Sequence, residues 1–295
     1  FDTHIGHDYL LDYEQRYEYY HKKENRIEFD LDFFNKITNG GVPNKTLNIF
    51  LAGTNVGKTL AMCHMASSFL LQSKNVLYIT MEMAEEEIAK RMDANMFNVP
   101  INQLEDLPKS MFTSKASKLV EKTKGSLIIK EYPTAAAHAG HFKALLNELS
   151  LKKSFRPDVI FIDYINICAS SRFRAGSNMN SYSIIKSIAE ELRGLAVEHN
   201  VPIFSATQTT RSGFSSSDVE ITDTSESFGL PATADFLVAL ISTEELEGLN
   251  QIMIKQLKNR YGDKSILKRF VVGIDRAKMR LYDVEQSAQN DILDS

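Results

Sequence analysis

Cysteine is scarce in this 295-residue chain: there are two, Cys63 and Cys168, and they form no CxxC pair. Both lie in apolar surroundings, which fits buried free thiols in a reducing cytoplasm. No stretch approaches the roughly 18 continuous apolar residues that a membrane-spanning helix needs, so no membrane association is expected. The opening FDTHIGHDYLLDYEQRYEYYHKK is charged and aromatic and carries no secretory signal. Internal repeats and low-complexity blocks are absent. An excess of basic charge is also missing: the net charge of −4 argues against a protein that coats nucleic acid non-specifically, while leaving room for a local basic channel. With 43% hydrophobic and 24% charged residues, the composition is that of a globular chain holding one large α/β domain and an appendage. A chain beginning at Phe1 rather than Met is expected to be trimmed, with a separate N-terminal domain missing.

What is present alternates. Residues 7–24 predict a helix with a narrow stripe of Tyr9, Leu10, Tyr13, Tyr17 and Tyr20 that needs a partner. After a Gly-rich turn comes the strand TLNIFLA (46–52), and then helix 58–72, strand 75–80 and helix 84–97. A polar stretch with Pro100 and Pro108 leads to an α-hairpin-like region and strand 126–130. Helix 139–152, strand 159–162, helix 182–199 and strand 202–206 follow, the last two elements flanked by polar loops at 170–181 and 209–227. The C-terminal third reads as strands at 236–241, 251–256, 270–274 and near Leu281, with 257–263 as a turn. Apolar β-runs alternating with amphipathic helices predict a mainly parallel sheet with helices on both faces, and the late strands predict antiparallel additions at one edge. Residues 285–295 are acidic and expected to fray.

The strongest motif is Ala52-Gly53-Thr54-Asn55-Val56-Gly57-Lys58-Thr59, between a strand and a helix. It matches G-x-x-x-x-G-K-[ST] except that Ala52 replaces the first glycine. Such a loop turns backbone N–H groups toward phosphates at a helix N-terminus. Lys58 supplies a charge for the β- and γ-phosphates, and Thr59 a hydroxyl for Mg²⁺. ATP or GTP is the expected ligand. The apolar strand Val159–Ile162 ends in Asp163, placed as a Walker B carboxylate that would hold Mg²⁺ through water, opposite Thr59; an Asp closing a strand is otherwise a common turn or cap residue. Glu82 ends the strand after the first helix and is a candidate general base for the attacking water, the alternative being a helix-start residue favoured by the dipole, like Glu85 and Glu86. Gln208 ends another apolar strand and is a candidate γ-phosphate sensor; the other reading is a surface amide.

Taken in order, LAGTNVGKT, YITMEMAEEEIAKRMDANM, IFIDYINIC, SATQTTR, ESFGLPATADF and IKQLKNRYGDK resemble the DnaB-type hexameric replicative helicases, and within them the T-even phage subgroup. The motifs run from about residue 27 to 275. The resemblance implies a RecA-like P-loop NTPase motor over 27–284 that forms a homo-hexamer around single-stranded DNA. It also implies a linker helix within 1–26 that packs on the neighbouring subunit, and primase, helicase-loader and polymerase partners in a cytoplasmic phage replisome. In the turn at 257–263, Lys258 and Arg260 resemble the family's basic pair, which reaches the neighbour's γ-phosphate; a K-x-R turn is otherwise a solvated hairpin tip. Arg172 and Arg174 in the first long loop, and Arg211 in the second, occupy the places of channel loops that track DNA phosphates without reading bases. Polar loops of this kind also occur on any surface. The rivals are a RecA-class recombinase-like ATPase and a P-loop switch ATPase that does not unwind.

Overall fold

In the computed structural model, the alternation of strand and helix becomes a twisted sheet covered on both faces; the residues described are 5–22, 26–174, 176, 178–208 and 229–285. The helices are α1 (Tyr13–His21), α2 (Asp32–Ile37), α3 (Lys58–Leu71), α4 (Glu85–Phe97), α5 (Lys109–Lys122), α6 (Ala139–Lys153), α7 (Ser181–His199), α8 (Gly229–Thr233) and α9 (Glu244–Gly248). The strands are β1 (Arg26–Ile27), β2 (Val42–Pro43), β3 (Thr46–Ala52), β4 (Val76–Thr80), β5 (Leu127–Glu131), β6 (Val159–Asp163), β7 (Pro202–Gln208), β8 (Phe236–Ile241), β9 (Gln251–Asn259), β10 (Arg269–Asp275) and β11 (Arg280–Tyr282). The large sheet runs β11-β10-β9-β8-β3-β7-β6-β4-β5. From β8 to β5 every pairing is parallel, and β9, β10 and β11 add antiparallel strands at one edge, as predicted.

Side-chain alternation builds two cores from the same strands. Leu47, Ile49, Leu51, Leu77, Ile79, Ile160 and Ile162 face α6 and α7. Phe50, Tyr78, Phe161 and Phe204 face the other way, against α3 and α4. Strands buried on both faces must be apolar throughout, which is why they read as unbroken hydrophobic runs. On the second face the rings of Phe50, Phe204, Phe161 and Tyr78 stack across β3, β7, β6 and β4, with centroids 6.1, 5.0 and 5.8 Å apart in turn. Offset aromatic pairs contribute about 0.5–1.5 kcal/mol each beyond burial. This ladder fixes the lateral order of the strands whose ends carry the candidate site.

Three expectations are corrected. The helix expected over 7–24 is confined, among the described residues, to α1, because the Asp8 carboxylate accepts the Leu10 and Leu11 amides at 3.1 Å and holds a turn there. The aromatic stripe is exposed all the same, and α1 buries no residue. The α-hairpin-like region is a single helix, α5, after a 3₁₀ turn at Ile101–Gln103, each following a proline that sets its start. Residues 257–259 are strand, not turn: β9 continues past a bulge opposite Leu237/Val238, pairing Lys258 with Leu237 and Asn259 with Phe236. Arg260 is therefore the first residue beyond β9.

Candidate nucleotide site

The parallel strands end together, and their ends carry the motifs. Ala52 closes β3 in register with Gln208 at the end of β7. Asp163 closes β6 beside Thr80 of β4, and the Met81 amide donates to the Asp163 carbonyl at 3.1 Å, leading directly to Glu82. Ala52 does not need glycine's freedom because it is still in the strand; Gly57 does, with φ of 135° just before α3. A cleft of about 260 Å³ opens here, lined by Gly53, Thr54, Asn55, Gly57, Lys58, Thr59, Glu82 and Gln208. Sequence-predicted residues from β3, α3, β4 and β7 thus meet in one place, with Asp163 beneath them.

Lys58 is held in the cleft by two groups. Its Nζ donates to Glu82 Oε2 at 3.0 Å and lies 3.9 Å from the centre of the Tyr164 ring. Both attractions pin the ammonium where phosphate oxygens are expected. Asp163 is fully buried. Its Oδ2 accepts from Thr59 Oγ1 at 3.1 Å and from the Tyr78 hydroxyl at 2.9 Å, while Oδ1 is buried without a hydrogen-bond partner. Burial pushes the Asp163 carboxyl above its ordinary range, opposed by the charge of Lys58 and by the Tyr78 hydrogen bond. An orphaned buried carboxylate oxygen next to a threonine hydroxyl suits a hard cation that takes only one or two protein oxygens and completes its shell with phosphate and water. The absence of any three-residue His/Cys/Asp/Glu cluster among the described residues is compatible with such sparse coordination.

Lys258 and Arg260 lie elsewhere. β9 runs antiparallel to β8, so Arg260 sits beside the beginning of β3 and Lys258 level with Ile49 at its middle, whereas the glycine loop follows its end. Arg260 is level with Leu47, because its amide pairs with Asp235 and that of Asp235 with Leu47. Five residues along β3 at about 3.3 Å each, and two strand spacings of about 4.8 Å across the sheet, put it roughly 20 Å from Ala52, where the glycine loop begins, beyond its side chain's reach. Both cations are fixed. Lys258 Nζ donates to the carbonyls of Pro231 and Ala232 at 2.5 and 3.2 Å. Burial, and then the charge of Arg260, pull its ammonium below the ordinary value. Arg260 Nη1 donates to Asp235 Oδ1 at 2.8 Å, and its amide to the Asp235 carbonyl at 2.9 Å. The same buried carboxylate binds Arg193 and accepts the Leu47 amide.

Of the loop arginines, Arg172 is exposed and paired with Glu190 at 2.5 Å, and Arg174 is exposed. Arg211, with the rest of the loop expected at 209–227, lies outside the described residues. Arg91 and Arg276, not among the residues expected from the sequence, also line the cleft; Arg276 Nη1 donates to the Asn55 carbonyl at 3.4 Å. Tyr78 and Asp235 are likewise absent from those expectations. A lone tyrosine inside an apolar strand was the available signal for Tyr78, since a buried hydroxyl needs a partner.

The DnaB-like helicase C terminal domain family profile matches residues 27–271. A DnaB-like replicative helicase of Enterobacteria phage T4 is 47% identical over 291 residues, 98% of this chain and 61% of the relative. The replicative DNA helicase DnaB of Helicobacter pylori is 24% identical over 204 residues, 68% of this chain and 40% of the relative. The chain therefore spans about three fifths or less of these relatives. Among solved structures, the ATPase domain of G40P superposes with a TM-score of 0.77 at 16% identity, covering 95% of this chain and 100% of that one. A DnaB-like replicative helicase described with its primase interactions gives 0.76 at 16% identity, covering 95% and 68%. At such low identity these two establish the shared fold, the mainly parallel RecA-like sheet.

Proposed function

Because the chain belongs to the DnaB-like helicase C terminal domain family, we propose that it is the motor of a ring-shaped replicative helicase. It hydrolyses ATP or GTP with Mg²⁺ to move along single-stranded DNA and separate a duplex. The observation that carries the reading is the separation of the phosphate cleft from Arg260 along β3. A chain that holds its phosphate loop at one end of a strand and Arg260 beside the other has half a site at each end, and copies joined head to tail make whole ones.

The glycine-loop amides and Lys58 bind the phosphates, and Thr59 with Asp163 holds the cation. The bound Mg²⁺–nucleotide supplies the phosphoryl group and neutralises its developing charge. A phosphate drawn to Lys58 competes with Glu82 for the ammonium and leaves the Glu82 carboxylate free to take a proton from water. Gln208, level with Ala52 across the sheet, reads the γ-phosphate and passes its loss into the loop that follows. Arg260, with Lys258 beside it, stabilises the charge developing on the neighbouring copy's transferred phosphoryl. The exposed tyrosine face of α1 packs on that neighbour as a linker, and the ring is a hexamer. Primase, loader and polymerase are the replisome partners this reading implies.

Steady-state hydrolysis with and without single-stranded DNA, with assembly mass and strand displacement read on the same sample, tests the proposal. DNA-stimulated turnover and unwinding by a six-subunit species are expected. DNA-indifferent turnover without strand displacement would leave a switch ATPase, and duplex pairing by an open filament a recombinase. In the same assay, Arg172→Ala with Arg174→Ala is expected to weaken DNA binding with basal hydrolysis little changed. The salt dependence should flatten by about 0.7 in log–log slope for each phosphate that is no longer neutralised. Unchanged affinity and slope would place the channel on other residues.

A further inference from the structure

Asp163 is held by a residue from outside the motifs. Tyr78 sits in the middle of β4, fully buried, opposite Phe161 of β6. Its ring is the last of the four stacked across the sheet, nearly parallel to Phe161 at 11°. Stacking and full burial hold the side chain in place, and with it the hydroxyl oxygen at the ring's end. From there it donates to Asp163 Oδ2 at 2.9 Å and accepts from the Cys63 thiol at 3.8 Å. The phenol has one proton, and the geometry commits it to the carboxylate.

The two carboxylate oxygens are thereby made unequal. Oδ2 carries both hydrogen bonds, from Thr59 and Tyr78, and Oδ1 carries none. The Thr59 hydroxyl is itself a candidate cation ligand, whose oxygen lone pair would face the cation while its proton stays donated to Oδ2. Tyr78 fixes Oδ2 from within the sheet, with a group that does not itself touch the cation. Resting on the nucleotide-site reading above, we infer that Tyr78 is a positioning residue for the divalent cation: its hydroxyl orients Asp163 so that Oδ1 is the oxygen presented to the metal. Outer partners of this kind set the direction of a metal-binding oxygen without touching the metal, and losing one typically costs 10–100-fold in metal affinity.

Tyr78→Phe removes one oxygen and keeps the stacked ring. In the full chain, binding of Mn²⁺ in the presence of ADP is followed by the loss of the free-Mn²⁺ electron paramagnetic resonance signal. ADP binding in EDTA and the melting temperature are measured alongside. Tyr78→Phe is expected to weaken Mn²⁺ binding by about 10-fold or more while metal-free ADP binding stays within about twofold of wild type. Replacing Tyr78 with 4-aminophenylalanine, which restores a donor at the ring's end, is expected to recover most of the Mn²⁺ affinity. Mn²⁺ binding by Tyr78→Phe equal to wild type overturns the inference, as does a 4-aminophenylalanine protein that binds no better than the Phe variant. Asp163→Asn separates the two levels. If it weakens Mn²⁺ binding and Tyr78→Phe does not, only the role of Tyr78 fails; if Asp163→Asn has no effect, the metal site itself is misplaced and both readings fall.

Discussion

Lys58→Ala should bring nucleotide turnover down to background while leaving the fold intact. The lysine is the only cation among the site residues predicted on the glycine loop, and its ammonium is held in place by Glu82 at 3.0 Å and by the Tyr164 ring. Removing one such preorganised group from a developing negative charge costs on the order of 10²–10³-fold in rate. Loss of phosphate affinity adds to that. Stability should hardly change: alanine is well suited to the first turn of α3, and the Glu82 side chain, 40% exposed, can be hydrated once its partner is gone. Phosphate release under saturating nucleotide, with a melting curve on the same preparation, makes the test. Near-normal turnover would remove the glycine loop from the chemistry.

Arg260→Ala should separate binding from hydrolysis. Nucleotide affinity is expected to stay within about twofold, because Arg260 sits roughly 20 Å along the sheet from its own chain's cleft. Turnover of the assembled protein should fall on the order of 10³-fold, the scale of an arginine finger supplied in trans. Folding should be little affected, because the Arg260 side chain is 45% exposed and its buried partner is not left alone. Asp235 also keeps Arg193 and the Leu47 amide. Mixing is the decisive readout. When variant and wild-type chains are combined, activity should drop faster than the variant fraction rises, because on the proposed trans role each variant would disable its neighbour's site, and the disabled site would pass on no turnover. A strictly proportional fall would assign Arg260 to a role within its own chain.

The two residues differ in how they could be read from the sequence. Lys58, Thr59, Asp163, Glu82 and Gln208 were legible because each follows or ends a short apolar strand. The local pattern locates the strand's end, and a parallel sheet brings those ends together. Arg260 was legible only through resemblance, because its meaning depends on β9 running antiparallel beside β8, a pairing between distant segments. The same limit explains the turn expected at 257–263: KNRYGD has a turn's composition, but the partner in β8 carries the strand on to Asn259. Tyr78 was hidden differently. It falls in phase with the core and reads as one more buried ring; only the register with β6, and the arrival of Asp163 above it, give its hydroxyl a task. Asp235 and Arg276 likewise gain meaning from residues far along the chain, Arg260 and Asn55 respectively.

The placement of donor and acceptor halves at opposite ends of β3 also sets an accounting rule for any assembly. If Arg260 acts in trans, a lone chain has no complete site, and a string of N chains has N−1. Only closure supplies the last one. A ring opened at a single seam, as loading onto a strand without free ends requires, would keep all but one of its sites competent. The idle site would mark the seam itself, so that turnover per chain reports on whether the ring is shut.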